Sequence, residues 1–136
     1  MAAEYVVPLD VMARWDAVAP RAELAGPVDG RAALAVAPHP DDPDQRCVVL
    51  QWTGARSIRP SDPHAPLSRH RLADHGLRDV AWVGVVRNSD EAAAAKDLVH
   101  HLVLLDDRAV EVVAELLTVH RVPGDTAEAA KRLVES

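Results

Sequence analysis

Phenylalanine is absent from this sequence, tyrosine occurs once as Tyr5, and lysine occurs only as Lys96 and Lys131. Without phenylalanine, a core must be built from Val, Leu and Ala, with Trp15, Trp52 and Trp82 as its large pieces. The single cysteine, Cys47, excludes an internal disulfide. Its place in the apolar run RCVVLQW predicts a small buried hydrophobe rather than a nucleophile. No apolar run approaches the roughly 20 residues of a membrane-spanning helix. The N-terminal MAAEYVVPLD lacks the basic-then-apolar order of a secretory signal. The expectation is a cytoplasmic protein with no membrane partner. Glycines are too scattered for a phosphate-cradling loop, since DGRAA and WVGVVRNS carry one each.

What is present describes an ordered chain. The 136 residues are 49% hydrophobic and 26% charged, which predicts one globular domain over residues 1–136. A net charge of −6 disfavours nucleic acid as a partner, because phosphate binding relies on a basic surface.

Along the chain, EYVV is a short strand, and Asp10 caps a helix that Pro20 ends. RAALAVA (31–37) and RCVVLQWTG (46–54) form an antiparallel pair around the loop PHPDDPDQ. Residues 54–78 form a proline-rich loop with one short helix near LSRHRLADHG, and DVAWVGVV (79–86) is a strand buried on both faces. Ser89 caps a helix over 89–105, with His100 and His101 on its polar side; the alternative makes HHLVLL a strand. A further helix covers 107–121, with His120 near its C-terminus, and Asp125 with Glu128 has the spacing of a capping box for the last helix. The predicted fold is therefore α+β: a small mixed or antiparallel sheet (5–7, 31–37, 46–53, 79–86) covered by helices, with a helical C-terminal third. The alternative is a layered α/β fold.

One segment carries chemistry. LAVAPHPDD (34–42) resembles the start of the zinc-dependent N-acetylglucosamine deacetylases of the LmbE and PIG-L type, where a strand leads into His-Pro-Asp-Asp-Glu. The resemblance implies His39 and Asp42 as metal ligands and Asp41 as the base that takes a proton from metal-bound water. It covers nine residues, Pro43 stands where the family has Glu, and the segment leads into a strand rather than a helix. His, Pro and Asp are also turn residues, so a polar loop without a cofactor is the expectation, with zinc as its alternative. His70 and Asp74 would share a helix face and form a second metal-ligating pair. Arg56, Arg59, Arg69, Arg71 and Arg78 could hold an anion in the Arg/His-rich stretch 56–78.

The strongest surface signal is apolar. On the predicted 107–121 helix, residues including Val112, Leu116 and Val119 span about 180°, wider than the roughly 100° stripe a surface helix needs. That width predicts a helix covered on two sides, with one covering surface an interface with a protein partner or a second copy; the alternative is that helices 89–105 and 125–135 sandwich it within one monomer. The expected function is a non-catalytic protein-binding module, of an adaptor, immunity-type or regulatory kind. The alternatives are a small metal-dependent hydrolase at 39–42 and an anion or small-molecule binder at 56–78.

Overall fold

The computed structural model describes residues 5–9, 22–38, 43–61, 82–105 and 109–135. Among them are nine strands and one α-helix: β1 (Tyr5–Leu9), β2 (Ala22–Val28), β3 (Arg31–Val36), β4 (Cys47–Thr53), β5 (Ser57–Ser61), β6 (Trp82–Arg87), β7 (Val99–Leu104), β8 (Ala109–Ala114), β9 (Leu116–Val122) and α1 (Thr126–Glu135). The strands form two sheets, ordered β1-β6-β7-β8-β5 and β2-β3-β4-β9. Each pairing among these nine strands is antiparallel.

The sheets face each other across a core of Leu34, Val36, Leu50 and Trp52 from one side and Val83, Val103, Val110 and Val112 from the other. Trp52 is fully buried there, the role expected of a tryptophan in a chain without phenylalanine. The other face of the four-stranded sheet is covered by α1, whose Ala129, Ala130 and Val134 meet Ala33, Ala35, Cys47 and Val49. Alanines on both surfaces let the helix sit close. Asp125 Oδ1 accepts the Glu128 N–H at 2.9 Å, so the predicted cap starts this helix. Gln51 Nε2 donates to the Leu133 carbonyl at 2.6 Å and ties its far end to β4. Cys47 is buried, and its thiol donates to the Gly124 carbonyl at 3.2 Å.

Helices do not cover a small sheet here, and the α+β expectation is overturned by a mostly antiparallel β architecture with one short helix. The layered α/β alternative fails too, because each pairing among the nine described strands is antiparallel. Three regions account for the difference. The stretch 54–78 holds β5, the predicted helix 89–105 is a 3-10 turn (Ala92–Ala94) followed by β7, and the predicted helix 107–121 is β8 and β9. Ser89 does act as a cap, its Oγ accepting the Ala92 N–H at 3.2 Å, but it caps only that turn. β8 is buried at all six positions, and β7 is buried at every position after Val99. A strand buried on both faces loses its alternation and mimics a buried helix in sequence. The expected helices at 10–19 and near 67–76 lie outside the described residues.

The chain changes sheets at a corner. β4 pairs with β9 in one sheet, β5 pairs with β8 in the other, and the two crossings run side by side. Thr53 faces Leu116 and Ser57 faces Val113, so residues 54–56 oppose only 114 and 115. That extra residue is a bulge, and Gly54 takes the left-handed φ of 63° within it. The Glu115 side chain lies over Gly54 where a Cβ would otherwise stand. Hydrogen bonds Glu115 N–H to Thr53 O (3.1 Å) and Arg56 N–H to Val113 O (2.8 Å) brace both sides of the bend.

Val112, placed earlier on a helix surface, is fully buried between the sheets. Val112→Asp would put an unpaired carboxylate there at a cost of several kcal/mol. The variant is expected to lose its cooperative thermal transition, monitored by circular dichroism.

Candidate functional site

Two places in the fold bring polar chemistry together, on opposite faces of the five-stranded sheet. Adjacent His100 and His101 diverge because successive residues of a strand point to opposite faces. On a helix both would have faced the polar side; on β7 one enters each layer.

His100 belongs to the outer cluster. Glu111 on β8 lies directly opposite Arg59 on β5, and diagonally across from His100 on β7. His100 Nε2 is 2.9 Å from Glu111 Oε1, and its Nδ1 is 2.7 Å from Ser89 Oγ. Arg59 donates through both terminal nitrogens to Glu91, at 2.7 and 2.5 Å, and its Nη2 lies 3.5 Å from Glu111 Oε1. The hydrogen bond to Glu91 raises the pKa of Arg59, and the same bond lowers that of Glu91. Ser89, His100 and Glu111 are buried, while Arg59 and Glu91 reach solvent.

Ligand atoms of Glu91, His100 and Glu111 lie within 4.8 Å of one another, a spacing that suits a metal ion. Here the Arg59 guanidinium already bridges the two carboxylates. The hydroxyl–imidazole–carboxylate order of Ser89, His100 and Glu111 also matches a proton relay. Its hydroxyl is buried and accepts the Ala92 N–H, so it serves as a cap rather than as a presented nucleophile. What the cluster does is hold the 88–98 connection onto β7, β8 and β5.

His101 belongs to the inner face. Its Nδ1 accepts the Trp52 indole N–H at 3.3 Å, across the gap between the sheets. Burial, with a smaller contribution from His100, lowers its pKa to about 4. The ring is therefore neutral near pH 7, and because the indole is only a donor, its proton sits on Nε2. His101 lines an open cleft of about 370 Å³, together with Leu9, Val99, Glu115, Leu116, Leu117 and Val119. The cleft lies on the side where the edge strands β1 and β9 face each other; on the opposite side β2 lies against β5. Leu9 and Leu116 are 37% and 56% exposed, and Val99, Leu117 and Val119 are half-buried.

The residues singled out in the sequence distribute unevenly. His39, Asp41, Asp42, His70 and Asp74, with Arg69, Arg71 and Arg78, lie outside the described residues. Arg56 is exposed, whereas Arg59 is committed to carboxylates. Leu116 and Val119 do sit on an apolar surface, but on a sheet edge, and Val112 does not join them. His120 lies on β9, its Nε2 2.8 Å from Gln51 Oε1 and 3.1 Å from Thr118 Oγ1. Sequence reasoning missed Ser89, Glu91, His100, Glu111 and His101 as partners, because their pairing depends on strand register. No helix among the described residues is long and apolar enough to cross a membrane.

Two measurements follow from these sites. Glu111→Ala removes the buried partner of His100 and Arg59 and is expected to cost about 3–5 kcal/mol in urea unfolding. Glu91→Ala, at a half-exposed position, is expected to cost under about 1 kcal/mol. For His101, the unfolded state binds a proton below about pH 6.5 while the folded state does so only below about 4. Its contribution to stability is thus complete above pH 6.5 and falls as the pH drops through that window. A loss of about 2 kcal/mol between pH 7 and pH 5 is expected, and His101→Gln should remove that slope. No family model, curated protein or solved structure matches this chain.

Proposed function

We propose that this chain is a protein-binding module that accepts an extended segment of another polypeptide as an added strand along β9. The observation that carries this is the treatment of its sheet edges. Each sheet ends in two edge strands, and unpaired backbone N–H and C=O groups there invite further pairing. Three edges contain proline, which cannot donate to a ladder: Pro8 in β1, Pro27 in β2 and Pro60 in β5. β2 also carries a register shift between Ala25 and Val28, a second device that discourages pairing. β9, seven residues long, contains neither and pairs with β4 alone among the described residues.

The side chains suit the same role. An antiparallel strand added beside β9 would direct alternate residues into the cleft, against Leu117 and Val119. The His101 Nε2–H supplies a donor to an oxygen entering there, and Glu115 supplies a negative charge at the rim. Main-chain pairing would give affinity and the cleft selectivity.

Selection from a displayed library of random linear peptides tests this. Enriched peptides are expected to alternate apolar with polar residues and to protect the amides of 116–122 from hydrogen exchange. Leu116→Lys and Val119→Lys should each weaken them by about tenfold, since charge on an edge opposes pairing. Peptides that bind without protecting any β9 amide would refute the assignment.

A further inference from the structure

We infer that the strand received by β9 is β9 of a second copy, in the two-fold register that sets Val119 opposite Val119; this rests on β9 being a receiving edge. A two-fold axis perpendicular to the sheet keeps the core-facing side of one copy on the same side as that of the other. Opposed residues must then belong to the same face, and the register centred on residue 119 overlaps the whole strand, from Leu116 to Val122.

In that register the side chains match. On the cleft-facing side, Val119 meets Val119, and Leu117 meets the aliphatic stem of Arg121. On the α1 side, exposed Leu116 meets Val122, and Thr118 meets His120. The only charged residue within β9 is Arg121, so no like charges are opposed. Its guanidinium stands diagonal to Glu115 of the second copy, within reach of long side chains. Five donors on that group can serve this carboxylate together with any other partner. A neighbouring register centred on Thr118 would shorten the overlap and run Val122 beyond the corner at Glu115. The pairing would join two four-stranded sheets into one of eight, a closed and symmetric assembly that leaves no further β9 edge.

A single strand pair is a small interface, below the roughly 1,200 Å² of standard complexes, so the equilibrium is concentration-dependent. Light scattering of the full chain from about 1 μM to about 1 mM is the test. A dimer is expected within that range, with protection of the 116–122 amides that increases with concentration. Val119→Lys and Val119→Glu should each weaken it at least about tenfold, because each places like charges on the axis. Mixing the two should restore association as a heterodimer, which also shows that both variants are folded. A chain that stays monomeric throughout, or a dimer indifferent to both substitutions, overturns the inference. If library peptides still protect β9 in such a chain, strand acceptance stands and only the second copy is rejected as the occupant.

Discussion

Backbone groups at the edge of a β-sheet must be paired, blocked or solvated, and a two-layer sandwich that does not close has four edges to manage. That constraint organises this molecule. Prolines fall in β1, β2 and β5, and β2 is kinked against β5 where the layers approach each other. On the opposite side an open cleft beside Val99 and His101 of β7 is lined by exposed Leu9 and by half-buried Leu117 and Val119 of β9. Edge management and the location of the opening are one problem with one solution.

The two layers are fastened by unlike means. Among the described residues, the core between them is largely aliphatic, and at Trp52 and His101 an N–H crosses the gap. On the outer face of the five-stranded sheet, an ionic and hydrogen-bonded cluster around Glu111 stands beside an apolar one of Val6, Val86, Leu102, Leu104 and Ala109. Outside the four-stranded sheet, α1 rests on alanines, and Gln51 fixes its end. A buried carboxylate among three strands stabilises little by itself once desolvation is counted, but it penalises any other arrangement of the strands around it. Specificity of register is the natural effect of such a group.

Strands β1, β3, β4 and β6 were legible from residue order alone, whereas β2 and β5, which carry Pro27 and Pro60, read as loop. The pair 31–37 and 46–53 is β3 with β4, and the strand at 79–86 overlaps β6, each signalled by β-branched residues over strand-like lengths. The last helix was marked by Asp125 and by Gly124 before it. The region 89–122 was not legible, for two reasons. β7 and β8 are buried on both faces, so their apolar residues show no clean alternation and periodicity could not separate them from helix. In β8 the even-numbered Val110, Val112 and Ala114 face the core, whereas in β9 the odd-numbered Leu117 and Val119 do. No single alternation fits a run whose phase changes at Glu115. Of the polar cluster, Ser89 was visible as a cap and Arg59 as a candidate to hold an anion; the pairing of Arg59, Glu91, His100 and Glu111 is a product of register. Proline positions, read strand by strand, were the one available clue to β9.

The bulge at Gly54 has an evolutionary consequence. Because residues 54–56 oppose only two residues, the corner offsets the ladder by an odd step, and this offset determines which half of β9 the opening sees. Deleting one of residues 54–56 would remove the offset and turn the faces of β4 and β9 together, because Leu50 is paired with Val119 and Trp52 with Leu117. Leu50 and Trp52 would then leave the core along with the aliphatic lining of the opening. The length of this corner is therefore held by the core itself, so the lining of the opening would change by substitution rather than by loss of a residue there.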